Sequence, residues 1–210
     1  CGCAGSYVLL NLHVVLEGPL VVGQTLMRDE IRSLPGFPLS QPYSALGVGT
    51  ITGSGGPLAG SVLTVSGNNA IVDWILVELR DAASGTTVAV RTPALLQRDG
   101  DVVGVDGTSL LRLPIAAGNY RIAVRHRNHL GVMTASAIAL STSVTSVDLS
   151  VPGTATYGAD ARKNVNGVYA LWAGDVTFNG QLKYTGSGND RDPILIRVGS
   201  TTPNSTVSGY

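Results

Sequence analysis

Between residues 61 and 151 the chain divides into seven short segments, 61–66, 71–80, 86–91, 109–115, 120–126, 135–140 and 145–151, each rich in β-branched or other apolar residues. Turn-forming pairs part them, among them Asn68-Asn69, Ser84-Gly85, Asp106-Gly107 and Gly118-Asn119. Short strands recurring at this spacing bury their apolar sides best as two packed antiparallel sheets. Segment 71–80 is the most telling. Ile75, Val77 and Leu79 form one wholly apolar face, and Trp74, Leu76 and Glu78 share the other, so this strand is expected at the centre of the core. The expected class is all-β, an immunoglobulin-like or prealbumin-like β-sandwich over 61–152.

The first sixty residues read as an extension of that body. From Tyr7 the chain alternates, with Val8, Leu10, Leu12, Val14 and Leu16 on one face, which is the period of a half-buried strand. Two uses are open for it: first strand of its own sandwich, or an assembly strand donated to the sheet of a neighbouring copy. Residues 25–34 carry Leu26, Met27, Ile31 and Leu34 at a short helical period that ends before Pro35. Pro35, Pro38 and Pro42 then call for an extended path, and the Gly-rich stretch 47–60 for a connection. Beyond Pro152 the alternation fades, and 153–210 reads as a small C-terminal module.

Composition narrows the function classes. Fourteen Lys and Arg against fourteen Asp and Glu give a formal net charge of zero, so no long-range field would draw the chain to nucleic acid. A neutral surface also lacks the repulsion that keeps copies apart, which suits self-association into a homopolymer. No apolar run reaches the roughly 18 residues of a membrane-spanning helix. The sequence opens on Cys1 rather than Met and reads as a mature secreted chain. For Cys1 and Cys3, parted by one glycine, three readings stand side by side: a bacterial lipid anchor at Cys1, a disulfide to another subunit, or free thiols.

Chemistry-bearing residues gather near the C-terminus. Asp175, Thr177, Asn179, Gly180 and Gln181 fall at the first, third, fifth, sixth and seventh positions of an EF-hand-type loop. The twelfth position holds Gly186, and the closing acids arrive later, at Asp190 and Asp192. The expected ion is calcium, bound weakly at about 10⁻⁴ to 10⁻³ M because carboxylates are few; the competing account is an Asp/Asn/Gly turn whose side chains cap backbone amides. Asp99, Asp101 and Asp106 form a second acidic stretch, for which ordinary hairpin turns are the competing account. His126 and His129 suggest a metal or anion site, and a hydrogen-bonding loop between strands explains them as well. No nucleophile elbow, phosphate loop or zinc-protease signature is present, so a non-enzymatic protein is expected.

Several of these stretches, VDWILVELR at 72–80, ALLQRDGD at 94–101, VRHRNHLGVM at 124–133, GDVTFNG at 174–180 and NDRDP at 189–193, with LEGP at 16–19 and PYSAL at 42–46, resemble a group of secreted surface proteins of Bacteroidetes-type bacteria. The resemblance implies an extracellular or cell-surface location and a degenerate dockerin-type calcium repeat at the C-terminal end. Taken together, the expectation is a structural subunit of an extracellular filament or surface layer, joined by strand complementation and stabilised by calcium. The alternative is a monomeric adhesin or dockerin-like module with a cohesin-like partner.

Overall fold

The structure, a computed structural model, describes residues 6–53, 56–199 and 204. Cys1 and Cys3 lie outside the described residues. The chain forms strands β1 (Val8–His13), β2 (Ile71–Arg80), β3 (Val88–Gln97), β4 (Asp101–Val103), β5 (Leu111–Leu113), β6 (Gly118–His126), β7 (His129–Met133), β8 (Ile138–Leu140), β9 (Val144–Asp148), β10 (Lys163–Val165) and β11 (Val168–Ala170), then one short helix, α1 (Arg191–Val198). This is an all-β fold, consistent with a β-sandwich. No helix among the described residues is long and apolar enough to cross a membrane.

The main sheet runs β5–β1–β4–β3–β2–β6–β7, with β8 added to β6 and β9 to β1. Its centre is the antiparallel trio β3–β2–β6, where Glu78 stands opposite Arg91 on one side and Ala123 on the other. Alternation along β2 then sorts the side chains. Ile75, Val77 and Leu79 enter one core with Leu10, Leu12, Leu96, Ile122 and Val124, while Trp74 and Leu76 enter a second with Leu95 and Val103 on the opposite face.

That second face is closed by the excursion between β1 and β2. Phe37, Tyr43, Val48, Leu58 and Val62 pack on it, the Tyr43 hydroxyl donates to the Trp74 carbonyl (2.9 Å), and the Trp74 indole N–H donates to the Pro38 carbonyl (2.8 Å). The first sixty residues are thus woven into the same body as the sandwich. With both faces covered, β2 is buried along nearly its whole length, the condition in which a strand reads as a continuous apolar run.

β1 lies inside its own sheet. It pairs antiparallel with β5 and β4 along one edge and parallel with β9 along the other, Leu9 opposite Val144 through His13 opposite Asp148. Val8, Leu10, Leu12, Val14 and Leu16 are all buried on the expected face. A copy of this strand supplied in trans would have to displace all three ladders.

Three local expectations change. Residues 61–66, read as a strand, form a 3-10 turn, Gly60–Thr64, in which the consecutive Val62 and Leu63 both pack on the second core, as strand alternation would not allow. The helical period at 25–34 yields only the 3-10 turn Glu30–Ser33. Residues 129–133, read as a loop, form β7, with His126 paired to His129 across a two-residue turn. β3 also runs on through Pro93, which sits opposite Leu76 before β4 joins the far side at Leu95 and Leu96; a strand tolerates proline where no neighbour requires its N–H.

Candidate functional site

Two buried polar clusters bear on function, one in the C-terminal loop and one at the end of β2. In the loop, Asp175 and Asp190 are 2% and 7% exposed. Asp175 accepts the backbone N–H groups of Asn179 and Gly180, both at 3.0 Å. Asp190 accepts the Thr177 N–H (3.2 Å), the Thr177 hydroxyl (3.0 Å) and the Lys183 N–H (2.9 Å). Asn179 accepts the Gln181 N–H (2.8 Å) and donates to the Gly188 carbonyl (2.8 Å). Asp175, Thr177, Asn179 and Asp190 therefore belong to one hydrogen-bonded loop although Asp190 stands beyond the twelfth position; Thr177 and Asp190 meet side chain to side chain, while Asp175 and Asn179 cap backbone N–H groups.

Two of the expected donors stand apart. Gln181 is exposed, which leaves its backbone carbonyl as the group suited to the seventh position. Asp192 belongs to the first turn of α1, where it accepts from Asn189 Nδ2 (2.8 Å) and from Arg191 (2.8 Å). Among the described residues no group of three or more His, Cys, Asp or Glu is placed to hold a metal ion. The loop offers two carboxylates with neutral oxygens.

The electrostatics of the pair are unequal. Burial pushes the Asp175 carboxyl up, the Gly180 and Asn179 N–H groups oppose this, and the charge of Asp190 raises it further. For Asp190 burial acts in the same direction, but the donors Lys183 and Thr177 prevail and hold it below the usual carboxylate range. Phe178, between them, takes a left-handed backbone at φ 57°, a conformation that costs a bulky residue roughly 1–3 kcal/mol. It turns its ring into the second core beside Tyr43 (centroids 6.0 Å apart) and under the Arg125 guanidinium (4.0 Å). The loop is thereby fastened to the sandwich.

The second acidic stretch is dispersed. Asp99 accepts the Asp101 N–H (3.3 Å) in the β3–β4 turn. Asp106 accepts the Thr108 and Ser109 N–H groups (3.0 and 2.9 Å) between β4 and β5. These acids cap two different turns, the ordinary use of Asp beside Gly.

At the end of β2, where both β2 and β6 carry a bulge, Asp73 begins a chain of contacts that the sequence reading missed. His126 Nε2 lies 3.2 Å from Asp73 Oδ2, His129 Nδ1 lies 3.0 Å from His126 Nδ1, and the Gly18 N–H donates to His129 Nε2 at 3.1 Å. A backbone N–H only donates, so His129 Nε2 is a bare acceptor and its proton sits on Nδ1. That proton faces Asn128 Oδ1 (2.7 Å) and His126 Nδ1, and the Asn128 N–H also donates to His126 Nδ1 (3.4 Å), so this nitrogen accepts and the His126 proton is on Nε2, facing the carboxylate. One tautomer assignment satisfies every member.

Arg127 closes the charge balance, donating from Nη2 to both Asp73 oxygens (2.9 and 2.7 Å). Burial works against the ionised Asp73, yet His126 and Arg127 hold its carboxyl below the usual range. Burial, reinforced by His126, lowers His129 to about 3. The cluster borders a cavity of about 630 Å³ beneath residues 16–34, lined by Leu16, Gly18, Arg28, Leu34 and His129. Its imidazole nitrogens face one another, Asp73 and Gly18, so it clamps the N-terminal segment to the β6–β7 hairpin. The sequence marks His126 and His129 but not their partner Asp73, one of two acids in a mostly apolar strand.

Comparison of the chain with protein-family models, with curated proteins and with solved structures finds no match.

Proposed function

We propose that this chain is a non-enzymatic extracellular module, a sandwich of the immunoglobulin-like or prealbumin-like kind whose C-terminal loop takes calcium as a structural ion. The observation that supports it best is the placing of the buried Asp175 and Asp190 with Thr177 and Asn179 in one hydrogen-bonded loop. An all-oxygen donor set suits a hard cation. Asp175, Thr177, Asn179 and Asp190 would hold the ion, and its charge would relieve two like-charged carboxylates left without a cation in contact. Because Phe178 ties the loop to the second core, an ion there would stabilise the body as well as the loop.

The non-enzymatic part of the reading is supported by the buried histidines, whose ring nitrogens are engaged within the clamp. Any assembly of copies into a filament or surface layer is proposed to use faces other than a donated β1, since that strand is paired in cis along both edges.

Thermal unfolding across a calcium titration tests the proposal. Binding to the folded state alone adds RT ln(1 + [L]/Kd), about 1.4 kcal/mol at tenfold excess over Kd. For a chain of this size that raises Tm by about 3–6 °C. An unchanged Tm from zero to 10 mM calcium would remove the ion from the reading.

A further inference from the structure

On the same face of β2 as Trp74 and Leu76, toward the Arg80 end of the strand, stands a charge arrangement built on Glu78. Glu78, fully buried, is shared by three arginines brought to it by sheet register. Arg80 follows it by two residues on the same face, Arg91 stands opposite on β3, and Arg125 stands on β6 opposite Leu76. Arg80 donates to Glu78 Oε2 through Nε (2.9 Å) and through Nη2, Arg91 Nε donates to Oε1 (2.9 Å), and Arg125 Nη1 lies 3.9 Å from the same oxygen. Three positive charges meet the one negative charge of Glu78, and the Asp175 carboxylate near Arg125 offsets part of what remains.

The surplus is specific to this place, since the chain as a whole is neutral. The arginines also feel one another: burial lowers Arg125 most, Glu78 offsets this, and Arg80 and Arg91 lower it again by repulsion. A guanidinium offers five N–H donors. Among the described residues Arg91 donates through Nε alone, and Arg125 through Nη2 to the Phe178 carbonyl (3.3 Å). Donor capacity and positive charge are both left over.

Beside them a cleft of about 470 Å³ opens between the β2–β3 hairpin and the C-terminal loop. Arg80 and Arg125 line it together with Ala123, Val132, Met133 and Phe178. Its floor stays low because Gly131 has no side chain: a Cβ there would stand 3.2 Å from the Val124 carbonyl and 3.3 Å from Arg125 Cγ. Guanidinium forks match the planar geometry of a carboxylate, and the apolar remainder suits an organic body attached to it.

We infer that this cleft binds a small organic carboxylate, its carboxylate on Arg80 and Arg125 and its apolar part against Met133 and Phe178. The cleft shares Asp175, Phe178 and Gly180 with the neighbouring loop, so benzoate binding is measured without added calcium. Benzoate is the probe, with the uncharged benzamide and inorganic sulfate as comparisons at constant ionic strength, followed by calorimetry and by amide shifts of Ala123 and Gly131. Benzoate is expected to bind at least tenfold more tightly than either comparison. Arg125→Gln is expected to weaken it tenfold or more. Since that change also disturbs the Phe178 contact, Thr86→Glu, an exposed substitution at the cleft rim, provides a second reading and is expected to weaken benzoate severalfold while leaving Tm unchanged. Equal binding of benzoate and benzamide, no binding of benzoate, or unaltered affinity in Thr86→Glu would overturn the site. Sulfate binding as tightly as benzoate would overturn the assignment to an organic carboxylate.

Discussion

The clamp at the end of β2 and the C-terminal loop use the same material in opposite ways. Both bury carboxylates, and both join distant parts of the chain. In the clamp every charge has its answer nearby: Arg127 neutralises Asp73, and two imidazoles carry the hydrogen bonding on to the Gly18 backbone. In the loop, Asp175 and Asp190 are served mainly by backbone N–H groups and Thr177, which solvate a carboxylate without cancelling its charge. The first arrangement is complete and vulnerable to acid. The second leaves its charge uncancelled, which is why the calcium proposal rests on it.

The sharpest way to break this contrast is to remove the carboxylate at the centre of the clamp. Asp73→Ala leaves Arg127 and His126 without their partner, and loss of one member of a buried pair costs roughly 3–5 kcal/mol; urea unfolding at pH 7 measures it. Acid should follow closely. His129, held at about 3 in the folded chain, regains its ordinary value of about 6.5 on unfolding. Between these values the unfolded chain binds the extra proton, so stability falls as pH falls, by up to about 5 kcal/mol. His129→Gln should flatten that limb of the pH–stability curve.

In the loop the expected effects are smaller and opposite in sign. Asp175 titrates above the usual carboxylate range, so its contribution favours folding at low pH and fades as pH rises through the folded value. Calcium should therefore stabilise more at pH 7 than at pH 4, and Asp190→Asn should abolish most of the 3–6 °C rise in Tm expected of the native chain. Smallest of all, Asp192→Asn should leave the calcium response in place, because that side chain is bonded to Asn189 and Arg191. A lost response in Asp192→Asn would redraw the donor set.

The two regions also differ in how far the sequence disclosed them. The loop was legible because its donors lie within sixteen residues and follow a spacing that a turn imposes. The clamp was not, because Asp73 and His126 lie 53 residues apart and meet only once β2 and β6 share a sheet. The same holds for Glu78, whose partners come from register with β3 and β6 rather than from sequence neighbourhood. In the fold, β1 and β2 showed their periods plainly. β7 did not, because a histidine and a glycine masked a strand sustained by pairing to β6 and by the Trp172 carbonyl accepting the Leu130 N–H (2.8 Å). Segment 61–66 erred in the other direction: β-branched residues favour a strand only where a neighbouring strand receives them.

The parallel pairing of β1 with β9 has a bearing on how the protein is made. During synthesis the first strand leaves the ribosome with its apolar row of Val8, Leu10 and Leu12 complete, yet its partner begins at Val144. Until β4 is made, from Asp101, that row has no partner strand, and from there to Val144 it has only β4 and β5. Contacts that span so much of the chain close slowly, and an unpaired alternating strand is a ready template for the same strand on a neighbouring nascent chain. Crowding of nascent chains, more than the finished surface, is where this sequence is exposed to mispairing.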